Sequence, residues 1–161
     1  GMMSLELESG SAGVMPVYKE VFQMVQVIMG LKGSGKTKLL IDSINTAVKN
    51  ETGSTVCIEK GNKLMFGVDY RVRLIEASDY EINSFDVLKG FICGLHAGNF
   101  DITHIFVDSL YKIVGNEDPA DAESFLSWCD AFGAANHIDF TITISADVNT
   151  ATDGIKKYMQ A

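Results

Sequence analysis

Residues 25–44 read VQVIMGLKGSGKTKLLIDSI, an apolar run that breaks into a glycine-rich, lysine-bearing loop and then resumes with helical spacing. Within it, Gly30-Leu31-Lys32-Gly33-Ser34-Gly35-Lys36-Thr37 fits G-x-x-x-x-G-K-[ST] without a mismatch. Each residue type has a chemical reason to be there. Glycines let the chain turn its N–H groups inward and leave no Cβ in the way of a phosphate. The helix that follows presents unpaired N–H groups and a partial positive charge. Lys36 supplies a mobile point charge for the outer phosphates, and the Thr37 hydroxyl is a hard oxygen ligand suited to Mg²⁺. Residues 30–38, with Lys38 flanking, therefore read as a cradle for a nucleoside polyphosphate.

Working outward, apolar runs alternate with helical patterns. MVQVIM (24–29), STVCIE (54–59), YRVRLIEA (70–77), ITHIFVDSL (102–110) and FTITIS (140–145) read as strands. Helices are expected after the loop, with Leu40, Ile44, Ala47 and Val48 on one face, and again over 85–97 behind a Ser84 cap. A third opens at Asp118-Pro119, an N-cap followed by a first helical residue, and the tail DGIKKYMQA predicts a short one. Strands alternating with helices over short links predict a mainly parallel sheet with helices on both faces, an α/β three-layer fold. Ligands of such sheets sit beyond the carboxyl ends of the strands. The chain of 161 residues reads as one domain over 23–161, with 1–22 a flexible lead and Gly1 a cloning remnant.

Asp108 ends the apolar run HIFVD. A carboxylate there needs a cation or a donor, and a hydrated Mg²⁺ supplies both, so Thr37 and Asp108 form the expected metal pair. Glu59, ending STVCIE, is the carboxylate placed to orient an attacking water; pairing with Lys60 or Lys63 at the surface is its alternative. Ser145 is the candidate sensor of the terminal phosphate, with Asp147 beside it. His96, His104 and His137 have no ligand spacing and read as satisfied structural histidines.

Composition excludes several classes. A net charge of −8 without a long basic run counts against nucleic acid as a partner. No run of about 18 apolar residues predicts a membrane span. The N-terminus has neither the basic start nor the apolar core of a signal peptide. Cys57, Cys93 and Cys129 form no C-x-x-C pair and sit among apolar residues, which predicts buried free thiols in a reducing, cytoplasmic setting.

Taken together, the motifs resemble those of the RecA-like branch of P-loop ATPases, in a minimal, stand-alone bacterial form. GLKGSGKT resembles the family's Walker A loop, and VCIEKGNKL its strand ending in a catalytic Glu. HIFVDSL resembles a Walker B strand reading Asp-Ser in place of Asp-Glu, and FTITIS the sensor strand. The likeness runs over about residues 23–147. It implies a three-layer α-β-α P-loop fold in RecA-like strand order, ATP as ligand with Mg²⁺ on Thr37 and Asp108, Lys36 on the phosphates and Glu59 as base. It departs at the sensor, where Ser145 or Ala146 stands for the family's frequent Gln. The sequence ends soon after the fourth core strand, which counts against recombinase activity. Guanine-reading segments find no match in NKLM (62–65) or DSLY (108–111), which favours ATP.

Three functions are carried forward: a Mg²⁺-dependent ATPase, a nucleotide-binding switch without turnover, and a small-molecule kinase of nucleoside type. The kinase expects an arginine clamp, and Arg71 and Arg73, on one strand, read as a surface pair. RecA-like sites often lie between subunits, so a homo-oligomer with Lys156 or Lys157 acting in trans is one expectation. A solvated helix end is the plainer reading of those lysines. The protein partner is not legible.

Overall fold

A computed structural model of the chain describes residues 2–8 and 17–159, with side chains from Gln23 to Met159. Strands β1 (Met2–Glu8) and β2 (Val17–Gln23) pair antiparallel with each other, Met2 opposite Gln23. The flexible lead expected over 1–22 also covers residues 9–16, which lie outside the described residues.

The main sheet holds β3 (Val25–Gly30), β4 (Ser54–Glu59), β5 (Arg73–Glu76), β6 (Ile102–Val107) and β7 (Asp139–Ser145). All its pairings are parallel and its order is β3-β7-β6-β4-β5. Crossovers are made by α1 (Lys36–Asn50), α2 (Phe85–Gly98) and α4 (Pro119–Asn136), with short helices α3 (Leu110–Val114) and α5 (Asp153–Lys156). Beyond α5 the chain returns to the sheet edge, where the Val27 amide donates to the Tyr158 carbonyl and Met159 bridges Val27 in parallel.

Two cores show why these sequences fold this way. On one face, Leu40, Ile44 and Ala47 of α1 pack with Cys57, Phe106 and Val72. Their i, i+4, i+7 spacing is the apolar stripe of a helix lying on a sheet. The fully buried Leu40 and Ile44 contribute about 1.5–3 kcal/mol each. On the other face, Val56, Ile58, Ile105, Val107, Phe140, Ile142 and Ile144 meet Leu88 and Ile92 of α2 and Phe125, Leu126 and Cys129 of α4. Strands buried on both sides explain the near-continuous apolar runs. Ser84 caps α2 by accepting from the Val87 amide at 3.1 Å, and Asp118 caps α4 by accepting from Ala120 at 2.9 Å.

Some expectations need correction. The strand expected from Tyr70 begins only at Arg73. Asp69 turns the chain just before it, accepting from the Arg71 amide at 2.9 Å while Val72 donates back to the Asp69 carbonyl. Arg71 therefore lies outside the strand and ion-pairs with Asp69 at 2.9 Å. Cys93 is exposed, whereas Cys57 and Cys129 are buried, and all three are free thiols. His96 leaves its Nδ1 buried without a hydrogen-bond partner, its ring held edge-on by Phe100 and Phe132. Among the described residues, no helix is long and apolar enough to cross a membrane.

Candidate functional site

The loop after β3 turns on Gly33 (φ +84°) and Gly35 (φ +88°), left-handed conformations that disfavour any side chain. Gly30 needs its missing Cβ for another reason: one built there would lie 2.5 Å from the Ser34 hydroxyl. Gly35 is the N-cap of α1 and no side chain caps it, so the first-turn amides remain available to a ligand. The Lys36 ammonium folds back to donate to the Leu31 carbonyl at 3.0 Å.

Above the strand ends lies a cavity of about 560 Å³ lined by Lys32, Gly33, Gly35, Lys36, Thr37, Lys63, Asp108, Ser109, Lys112 and Ser145. The fold thus brings Lys32, Gly33, Gly35, Lys36, Thr37, Asp108 and Ser145 of the expected set to one place. Gly30, Leu31 and Ser34 face a neighbouring groove with Leu39 and Val148, and Lys38 lies exposed on α1 outside both. Asp147 caps its own turn, accepting from the Asn149 amide at 2.9 Å.

Asp108 is oriented from the neighbouring strand. The Thr143 hydroxyl, fully buried, donates to Asp108 Oδ1 at 2.7 Å and accepts from the Ser109 amide at 2.7 Å. Ser109 itself adopts φ +64°, a left-handed conformation at the start of α3. Thr143 was missed in the sequence, although the alternation of FTITIS does place Thr141 and Thr143 on one face.

Glu59 is 2% exposed and does not line the cavity. Its Oε1 accepts from the backbone amides of Lys63 at 2.8 Å and Leu64 at 3.3 Å. Burial raises its carboxyl above the ordinary 4.5, and the charges of Asp108 and Glu76 add to this, while the two amides pull the other way. Glu76 grips the same loop, with both oxygens on the Gly61 amide at 2.9 and 3.0 Å. The loop pinned by these two carboxylates carries Lys63, and Lys112 arrives from α3. A Cβ on Gly61 would sit 3.5 Å from Lys112 Nζ and 3.6 Å from Lys63 Cε, so the two side chains converge there. Neither was singled out from sequence as a site cation. Lys63 stands four residues after Glu59 and was read only as its ion-pair partner, but its contact with Glu59 is through the backbone.

A hydroxyl from Thr37 and a carboxylate from Asp108 line one cavity. That all-oxygen donor set, with room for water, fits Mg²⁺.

Fold and site together define a three-layer α/β protein, with an all-parallel five-stranded sheet, helices on both sides and its cavity at the strand ends. Among solved structures the chain is similar to the flagellar accessory protein FlaH from Methanocaldococcus jannaschii. The two are 14% identical with a TM-score of 0.54, and the match covers 83% of this chain and 65% of that one. The chain thus spans less than two thirds of that neighbour's length, and at this identity the likeness is one of fold. No family model and no curated protein matches it by sequence.

Proposed function

We propose that the chain binds Mg²⁺-ATP in the cavity above β3, β6 and β7 and hydrolyses it. The observation that carries this reading is the convergence, in one cavity, of loop glycines, Lys36 and Thr37 with Asp108. The loop and the first-turn amides of α1 hold the phosphates, and the Lys36 ammonium exchanges the Leu31 carbonyl for a phosphate oxygen. Thr37 and Asp108 hold the metal, which when bound neutralises phosphate charge and lends Lewis acidity. Thr143 keeps the Asp108 carboxylate aimed. Lys63 and Lys112 add positive charge beyond the loop, where a terminal phosphate would extend. Ser145 offers a hydroxyl at the cavity floor. Glu59 is the base; it is buried outside the cavity with Oε1 on the Lys63 and Leu64 amides, so a water must be admitted to it by movement of the loop over 60–64.

The same engagement of Glu59 favours a second reading, a nucleotide-responsive switch without turnover. The kinase reading has less support: Arg71 is spent on Asp69 at the surface and no arginine lines the cavity. ATP, its residues and the cytoplasmic setting rest on the resemblance and the site chemistry; no partner protein is assigned.

The test is nucleotide binding by calorimetry beside phosphate release from purified protein. Binding lost in Lys36→Ala, with release lost in both Lys36→Ala and Glu59→Gln, supports the ATPase. Binding without release in the parent supports the switch. An absence of heat with millimolar Mg²⁺ and ATP would overturn both.

A further inference from the structure

Glu51, His104 and Asp139 meet at the pole of the sheet opposite the phosphate loop. Glu51 is the C-cap of α1, His104 lies in β6, and Asp139 opens β7 in register with His104. One ligand atom from each lies within 4.8 Å of the others. Glu51 Oε2 is 2.8 Å from His104 Nδ1, and His104 Nε2 is 2.9 Å from the Thr141 hydroxyl. The His104 and Glu51 side chains are 14% and 25% exposed, open enough for an ion to enter and covered enough to strip part of its water. On the other side of His104, in register on β4, stands Thr55. It is 4% exposed and its hydroxyl is buried without a hydrogen-bond partner.

We propose that this pole is a binding site for a divalent transition-metal ion of the Zn²⁺ class. Its ligands are Glu51 Oε2, His104 Nδ1 and an Asp139 carboxylate oxygen, with water completing the set. Two carboxylate oxygens and one imidazole nitrogen make a mixed donor set of the kind Zn²⁺ takes. The imidazole selects Zn²⁺ over Mg²⁺. The ion displaces the hydrogen bond between Glu51 Oε2 and His104 Nδ1, and the neutral ring keeps its one proton on Nε2. Nε2 then donates to Thr141 Oγ1, the outer hydrogen bond that fixes the ring of a metal-bound histidine. Zn²⁺ ligands at about 2.0–2.1 Å stand about 3.3 Å apart in a tetrahedron, so the 2.8 Å contact opens by about half an ångström. Bound metal would tie the far end of α1 to β6 and β7.

This proposal does not depend on the nucleotide reading, and its test uses Zn²⁺ alone. Chelator-stripped protein in a Cys93→Ser background, which removes the exposed thiol, is equilibrated with Zn²⁺ without nucleotide and the bound metal counted by mass spectrometry. One ion per chain is expected. Affinity should fall at least about 10-fold in His104→Gln and in Asp139→Asn, since loss of an outer partner alone has that effect. Asp108→Asn should leave it unchanged. A second measurement needs no site variant: Co²⁺ should broaden the ring proton resonances of His104 well before those of His96 and His137. No bound Zn²⁺, equal binding in both variants, loss of binding in Asp108→Asn, or uniform broadening of all three histidines would overturn the site.

Discussion

Thr143→Val isolates the role of one hydroxyl. Valine keeps the shape of threonine, and the site is fully buried, so packing changes little. What disappears is the donor to Asp108 Oδ1 and the acceptor for the Ser109 amide, both at 2.7 Å. A hydrogen bond to a charged group contributes about 1.5–3 kcal/mol and an orphaned amide costs about 1–3. Asp108 and Ser109 are both half-buried, so water recovers part of that loss. We expect a net destabilisation of about 2–3 kcal/mol, measured by urea unfolding without ligand. The functional effect is separate: an unaimed Asp108 should weaken Mg²⁺-dependent ATP affinity about 10–100-fold. Thr141→Val is the control. It is the same substitution, two residues away on the same face, 3% exposed and bonded to His104 at 2.9 Å. It should destabilise by about 1–2 kcal/mol and leave Mg²⁺-ATP affinity unaltered. Thr143→Ser should restore most of the affinity. If Thr143→Val binds Mg²⁺-ATP like the parent, or if both valines weaken it alike, then Thr143 does not aim Asp108 and the metal pair is misassigned.

Glu59→Gln keeps an oxygen acceptor for the Lys63 and Leu64 amides while removing the charge. Because burial raises the Glu59 carboxyl above 4.5, the fold favours its protonated form. Its ionisation penalty is absent below the unfolded value and grows as pH rises through the folded one. The variant should therefore melt a few degrees above the parent at about pH 8, with the gap closing at about pH 4; a gap independent of pH would contradict the burial argument. Lys63→Ala and Lys112→Ala should each weaken ATP about 10-fold or more while changing ADP little, measured by titration calorimetry. Equal losses for both nucleotides would place these lysines elsewhere than on the terminal phosphate. Thiol titration should find one reactive cysteine in the native chain, Cys93, and three after denaturation; labelling of Cys57 in the native state would contradict its burial.

Much of the fold was legible because its signals are local. The second strand was expected at 54–59 and is Ser54–Glu59, since a short apolar run after Gly53 has few other ways to be buried. Ser84 and Asp118 announce their helices through caps that act within three residues. The glycine turn between β3 and α1 was legible for the same reason. What escaped was set across strands. Thr143 reaches Asp108 over 35 positions, and in isolation a threonine in a strand reads as mere β-propensity. The His104–Glu51 pair spans 53 positions. Lys63 faces the cavity because Glu59 and Glu76 seize the backbone of its loop, a contact invisible until β4 and β5 are side by side. Cys93 was misread because it adjoins Ile92 in sequence, whereas one step along a helix turns it away from the core.

The insertion of β7 between β3 and β6 has a dimensional consequence. Two strand intervals, about 9.6 Å, separate the strand that launches the glycine loop from the strand that ends in Asp108. Were those strands immediate neighbours, half that width would separate the loop from Asp108. The gap is floored by Ser145, in register with Gly30 and among the smallest side chains available. The strand order therefore acts as a spacer gauge, and a bulky residue at 145 would refill the room it creates.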